Sequence, residues 1–296
     1  MFSGSIVALI TPFNADGEID YDGLASLVEW HIQAGTSAIV IAGTTGESPT
    51  LSDDEKVALA KAAVAAAGGR IAILVGNGGN NTLACVRLTE RLNETGIQGY
   101  LTVTPFYNKP TDAGLLAHFK AIAGATSLPV ILYNVPGRTL CDLSNEIVIK
   151  LSELNNVVAI KDATADLTRV PELLEKCRQP FHLLSGDDAS AVAFCKMGGH
   201  GVISVTANVA AREMAAVHGA LASGDIGQAE LLDRQLAGLH KGLFIESSPM
   251  AAKWALYRLK LLDNARLRLP LVDLSASGKN YIEQILKDSG LYPQEC

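Results

Sequence analysis

Eight short apolar, β-branched runs alternate with helical stretches over about the first 225 residues, and this alternation predicts a (β/α)8 barrel with a C-terminal helical region. Two further observations agree. The β-type pattern stops at Asp225, and the polar residues capable of chemistry stand just past the ends of the runs. The runs are Ser5–Ile10, Ala38–Ala42, Ile71–Val75, Gly99–Val103, Val130–Tyr133, Val157–Ile160, Phe181–Leu184 and Gly201–Val205. Each is short and nearly continuous in apolar residues, as a strand covered on both faces must be. The segments between them, such as Ser52–Ala67 and Asn81–Thr95, have helical periodicity and are rich in alanine, with Ser52, Thr82 and Ser144 as predicted caps. Such alternation implies parallel pairing and right-handed crossovers. An open doubly wound sheet satisfies the same count of units. Beyond Asp225, Gln228–Leu243, Met250–Leu261 and Lys279–Ser289 read as helices, broken at Ser247-Ser248-Pro249 and Leu269-Pro270. The predicted organisation is a barrel over residues 1–224 and a helical region over 225–296, packed on the barrel because no low-complexity linker separates them.

Composition narrows the function. The chain has 296 residues, of which 48% are hydrophobic and 19% charged, ample for a large core. A net charge of −7 argues against non-specific nucleic-acid binding and means that an anionic substrate needs a local positive pocket. Five cysteines (Cys85, Cys141, Cys177, Cys195, Cys296) form no CxxC pair, which predicts reduced, inert thiols and a cytoplasmic protein. The N-terminus lacks a basic segment and a long apolar core, and no stretch approaches the roughly 20 apolar residues of a membrane helix, so neither a signal peptide nor a membrane span is expected. The six histidines show no metal-ligand spacing and are expected on the surface or in packing, with no metal site.

One apolar run ends in a lysine: Val157-Val158-Ala159-Ile160-Lys161. Burying an ammonium is costly unless it is paired or loses its proton, and an uncharged amine is a nucleophile toward carbonyls. The plain alternative is that Lys161 snorkels to the strand exit and pairs with Asp162. Its neighbours at the other strand ends favour chemistry. The second run is followed by Gly43-Thr44-Thr45-Gly46-Glu47, the fourth by Thr104-Pro105-Phe106-Tyr107-Asn108, and the fifth ends in Tyr133-Asn134-Val135-Pro136-Gly137-Arg138-Thr139. A barrel brings these loops to one face. Lysine, two tyrosines, two threonines and an arginine together suit Schiff-base chemistry: the amine attacks a ketone, hydroxyls relay protons, and the guanidinium forks a carboxylate. Asp187-Asp188, after the seventh run, reads as a helix N-terminus. The glycines of Gly198-Gly199-His200-Gly201 precede the eighth run rather than follow it, unlike a barrel phosphate site. Gly76-Asn77-Gly78-Gly79 lacks dinucleotide-loop spacing and is explained by a turn.

In this order, GTTGES, LTVTPFYNKP, ILYNVPGRT, IKDAT, LLSGDDAS and GGHGVISVTANVAAR closely resemble the 4-hydroxy-tetrahydrodipicolinate (dihydrodipicolinate) synthase family of pyruvate-dependent class I aldolases and lyases. The resemblance runs from Gly4-Ser5-Ile6-Val7 to the C-terminal helices. It implies that Lys161 forms a Schiff base with pyruvate, that Tyr133 donates and accepts protons beside it, and that Thr44 and Tyr107 complete a hydroxyl relay, with Tyr107 reaching across from a neighbouring subunit. It further implies that Thr45 binds the pyruvate carboxylate, Arg138 the carboxylate of aspartate 4-semialdehyde, and that Gly186 and Ile203 lie near the site at backbone level. The implied assembly is a homotetramer, a dimer of dimers, and no metal or organic cofactor is required. Related sugar-acid aldolases and N-acetylneuraminate lyases share the tyrosine and lysine and are the nearest alternative. A non-catalytic barrel is more distant, because binding alone needs neither relay nor buried amine.

Many members of the family bind lysine as a feedback inhibitor at a subunit interface. Ser48, Asn80 and the Phe106-Tyr107 segment match parts of that site. Asp53 and Lys56 stand where histidines are typical, Ala84 where a glutamate meets the ligand ammonium, and Phe106 where a tyrosine is typical. A missing carboxylate and an added cation both disfavour a cationic ligand, so feedback by lysine is expected to be weak or absent.

Overall fold

In a computed structural model that describes residues 2–291, eight parallel strands pair in sequence order, and β1 pairs with both β2 and β8. The sheet is therefore a closed barrel, which excludes the open doubly wound alternative. The strands are β1 Gly4–Ala8, β2 Ala38–Ile41, β3 Ala72–Gly76, β4 Gly99–Val103, β5 Val130–Asn134, β6 Val157–Asp162, β7 His182–Ser185 and β8 Gly201–Ser204. All eight apolar runs form strands, with differences only at the ends. β6 continues two residues past its apolar run, because Lys161 and Asp162 extend the ladder opposite Tyr133 and Asn134. Lys161 is thus inside a strand and not at its exit.

Two cores follow from the period-2 alternation of strand side chains. Ile6, Val40, Leu74, Leu101, Ile131, Ala159, Leu184 and Ile203 fill the barrel interior. Their chain neighbours, among them Val7, Ile39, Val75, Leu132 and Ile160, pack outward against the helices. Full burial of each such Leu, Ile or Val contributes about 1.5–3 kcal/mol before ordering costs.

Helix boundaries depend on capping. Ser52 opens Asp53–Ala67 with a reciprocal capping box: its hydroxyl accepts from Glu55 N–H, and the Glu55 carboxylate accepts from Ser52 N–H. Ser144 caps Asn145–Ser152 as expected. Thr82 does not cap the third helix. Asn81 does, one residue earlier, while the Thr82 hydroxyl meets His118 Nδ1 at 2.9 Å. That helix ends at Leu92 rather than Thr95, whose hydroxyl turns back to the Leu92 carbonyl.

After residue 224 the helices are Ile226–Gly242, Met250–Arg258 and Ala276–Asp288. The second stops before Leu261 because Lys260 adopts a left-handed φ of 58°. The third starts three residues earlier than its periodicity suggests, because Ser275 accepts from Gly278 N–H. Ile226–Gly242 lies against the helices Ala191–Lys196 and Ala211–Ser223, and Met250–Arg258 touches the turn Thr206–Asn208 that follows β8. The C-terminal region therefore contacts the barrel at the C-terminal ends of its strands.

Cys85, Cys141, Cys177 and Cys195 are free thiols, and Cys296 lies outside the described residues. His31, His118, His218 and His240 are packing residues, buried among the helices. Among the described residues no helix is long and apolar enough to cross a membrane.

Candidate active site

Lys161 and Tyr133 face each other across paired strands. Because Ala159 points into the barrel, Lys161, two residues on, does so as well. Its Nζ lies 4.4 Å from the centroid of the Tyr133 ring. Lys161 is 4% exposed and Tyr133 7%. Asp162 points the opposite way, since adjacent strand residues face opposite sides. Its carboxylate accepts from Arg169 Nε at 2.7 Å and from the Thr164 hydroxyl at 2.6 Å. The Lys161–Asp162 pairing is therefore incorrect, and the strand pleat is the reason. Among the described residues Lys161 has no carboxylate partner.

The turn after β2 places Thr44 at the mouth, partly exposed, and Thr45 beneath it, buried. The turn is closed by Glu47 N–H to the Thr44 carbonyl and by Ser48 N–H to the Gly43 carbonyl, both at 3.1 Å. After β5, a single helical turn Pro136–Thr139 carries Arg138 outward. The next residue anchors it: the Thr139 hydroxyl meets Thr104 Oγ1 at 3.1 Å and donates to the backbone. Arg138 is exposed, with no carboxylate partner among the described residues, so its fork is open to an anion.

A cavity of about 390 Å³ opens at this mouth, of a size that suits a small metabolite. Thr44, Tyr133 and Arg138 line it, and the Lys161 amine lies 4.4 Å from the centroid of the Tyr133 ring. The same cavity extends over Ser48, Asp53, Lys56, Asn80, Ala84 and Phe106, so these six positions share one lining with Thr44, Tyr133 and Arg138. Burial pulls the Lys56 pKa below the ordinary lysine value, and the Asp53 carboxylate opposes that shift. Asn80 donates to the Phe106 carbonyl and accepts from Asn108, fixing the loop after β4.

Gly186 follows β7, where its N–H donates to the Asp162 carbonyl at 2.6 Å. A Cβ there would stand 2.7 Å from the Ala163 Cβ, which accounts for the glycine. Ile203 lies on the inner face of β8. Asp187 is a helix-terminal residue as expected, accepting from Ser190 N–H, while Asp188 accepts from Val205 and Thr206 N–H and so ties the loops after β7 and β8 together. Lys161, Thr45, Gly186 and Ile203 are not among the residues that line the cavity, and neither is Tyr107. Tyr107 is 87% exposed and has a φ of 76°.

A buried ion pair escaped the sequence reading. Glu47 Oε1 stands 2.5 Å from Lys253 Nζ, as a close charge contact rather than an aligned hydrogen bond. Both side chains are 1% exposed. Burial pulls the Lys253 pKa below the ordinary lysine value, and Glu47 partly offsets it. The available signal was a lysine among Met250, Ala251, Ala252, Ala255 and Leu256, a segment buried almost all round. Among the described residues no group of three or more His, Cys, Asp or Glu could hold a metal ion.

The model of the dihydrodipicolinate synthetase family matches residues 1–289. The dihydrodipicolinate synthase of Aquifex aeolicus superposes with a TM-score of 0.96 at 42% identity, over 99% of this chain and all of that one. The chloride-inhibited enzyme of Acinetobacter baumannii, solved with pyruvate, gives 0.95 at 44% identity, over 98% of this chain and 99% of that one. The enzyme of Cyanidioschyzon merolae, solved with lysine bound, gives 0.95 at 36%, with the same coverage. With the fold, the strand-end residues and a match along nearly its whole length in agreement, this chain belongs to the dihydrodipicolinate synthetase family.

Proposed function

We propose that this chain condenses pyruvate with L-aspartate 4-semialdehyde through a Schiff base on Lys161, giving 4-hydroxy-tetrahydrodipicolinate for diaminopimelate and lysine biosynthesis. The observation that carries this is the buried Lys161 amine, directly opposite Tyr133 and 4.4 Å from its ring. The Lys161 amine adds to the pyruvate ketone, and loss of water gives the imine. Removal of a methyl proton makes the enamine, whose carbon attacks the aldehyde. The amino group of the semialdehyde then closes on the imine carbon and expels the Lys161 amine. Tyr133, with the Thr44 hydroxyl, moves the protons these steps need. Thr45 receives the pyruvate carboxylate, beside Gly186 and Ile203, and Arg138 receives the carboxylate of the second substrate.

In this reading Lys161 is the covalent partner of pyruvate and no separate cofactor takes part. The exposed, left-handed Tyr107 is supplied to a neighbouring chain's relay in a homotetramer built as a dimer of dimers, which accounts for a tyrosine turned away from its own cavity. Residues 1–224 form the catalytic barrel and 225–296 the helical region, and the free thiols, three of them buried, fit a cytoplasmic location. The position of Arg138 at the mouth favours the semialdehyde over a sugar-acid aldehyde.

Borohydride added with pyruvate should leave a reduced adduct on Lys161 by intact mass and peptide mapping, and mixing with the semialdehyde should then give turnover. Folded protein that traps no pyruvate rejects the mechanism.

A further inference from the structure

The turn that carries Thr44 and Thr45 contains two non-glycine residues in the left-handed region, Ala42 with a φ of 48° and Glu47 with a φ of 56°. A side chain with a Cβ is strained there and stays only where its surroundings over-determine it. At Ala42 the surroundings are backbone: a Cβ on neighbouring Gly46 would stand 2.9 Å from the Ala42 nitrogen and 3.1 Å from the Leu9 carbonyl oxygen, so the chain segments already touch.

At Glu47 the restraint comes from the C-terminal region, more than 200 residues away in sequence. Lys253 Nζ meets one carboxylate oxygen and also donates to the Arg266 carbonyl at 2.8 Å. Arg268 N–H donates to the other oxygen at 3.0 Å. The Arg268 guanidinium continues along the turn, donating to the Thr50 carbonyl at 2.9 Å and to Glu55 at 2.6 Å. The Phe13 ring lies 4.0 Å from Lys253 Nζ and 4.6 Å from the Arg268 guanidinium, closing the site to water. A buried ion pair is a weak source of net stability, because an apolar pair of equal volume does as well. What it supplies is direction: a carboxylate held from both oxygens fixes the backbone that bears it.

We propose that Glu47 and Lys253 are positioning residues: through their ion pair the C-terminal helical region holds the strained turn that aims Thr44 and Thr45 at the substrate. This rests on the reading of those two threonines under Proposed function. Neither Glu47 nor Lys253 touches substrate. Their effect reaches the reaction through Thr44, whose carbonyl accepts the Glu47 N–H.

The test is a cycle with E47Q/K253M, T44V and the triple variant, on the full-length protein. Replacing both partners leaves no lone buried charge, so the double variant keeps its fold. In the apo protein, amide hydrogen exchange over residues 43–51 should speed up while the barrel strands stay protected. Turnover of the double variant should fall by about 100-fold, the scale for a reacting group displaced by about 1 Å. In the T44V background the same double substitution should cost less, about 10-fold, because only Thr45 is left for the turn to aim. Unchanged exchange over 43–51 overturns the proposal, and so do losses that multiply independently in the triple variant. If the unaltered protein traps no pyruvate, the function reading fails by itself. The exchange result then decides whether the ion pair holds the turn: faster exchange confined to 43–51 upholds it, and unchanged exchange overturns it.

Discussion

Gly76→Ala adds a single methyl group beneath the Thr44 turn, at a place where backbone meets backbone. Gly76 ends β3 and is buried. An added Cβ would stand 2.2 Å from the Ala42 carbonyl oxygen, 2.8 Å from its carbon and 3.1 Å from the Gly43 Cα. The first distance is about 0.8 Å inside the 3.0 Å limit for real Cβ contacts, and all three partners are backbone, so no side chain can swing away. The end of β2 must move by roughly that amount, two residues before Thr44. Overpacking of this kind costs about 1–3 kcal/mol. At about 2.1 cal/mol/K per residue, the unfolding entropy of this chain converts that cost into a Tm lower by roughly 2–5 °C. The catalytic cost is larger, since a misplacement approaching 1 Å is worth up to about 100-fold in turnover. Thermal unfolding and steady-state kinetics on Gly76→Ala, beside Gly124→Ala, separate the two effects. Gly124 ends the helix Asp112–Gly124 with nothing within 4 Å of its Cβ position, so its substitution should leave both readouts near the unaltered protein. Unaltered kcat/KM and Tm in Gly76→Ala refute the reasoning.

Three further outcomes are expected. Arg138→Ala should still trap pyruvate on Lys161 but lose about 10–100-fold in kcat/KM for the semialdehyde, the worth of a charge-assisted fork, and unchanged semialdehyde kinetics count against the assignment. Free lysine should inhibit weakly or not at all, because an ammonium beside Lys56 with no carboxylate at Ala84 lacks about 1–3 kcal/mol of pairing; Ala84→Glu should strengthen inhibition, and potent inhibition of the unaltered chain contradicts this reading. Acid stability should depend on His31, which is fully buried, meets Thr36 Oγ1 at 2.8 Å, and has its pKa pushed by burial down to about 3. Above pH 6.5 its contribution is fully present. Below that, the unfolded chain takes up a proton that the folded one refuses, so stability falls as pH drops toward about 3. By pH 5 its share is about 2 kcal/mol, and His31→Gln should remove that share from the change in urea-unfolding free energy between pH 7 and 5. An unchanged pH slope in His31→Gln excludes this role for His31.

The sequence alone determined the elements and pointed to the candidate site residues. Apolar run length, alternation with alanine-rich helices and capping residues such as Ser52 and Ser144 are local signals, and they located eight strands to within a few residues. Lys161, Tyr133, Thr44 and Arg138 were legible because each is a polar residue at the end of an apolar run. Tertiary structure decided what depends on pairing between distant segments. Closure required β8 to meet β1, which a count of units does not specify. The direction of Lys161 required its strand to continue through Asp162, because the pleat sends Lys161 inward and Asp162 to Arg169. Thr82 lost its capping role to Asn81 because His118, a residue of another helix, meets its hydroxyl. The Glu47–Lys253 pair joins a turn and a helix about 200 residues apart, and neither local pattern names its partner. Local periodicity is written in neighbouring residues, whereas the pairing of a buried charge is a property of the folded chain.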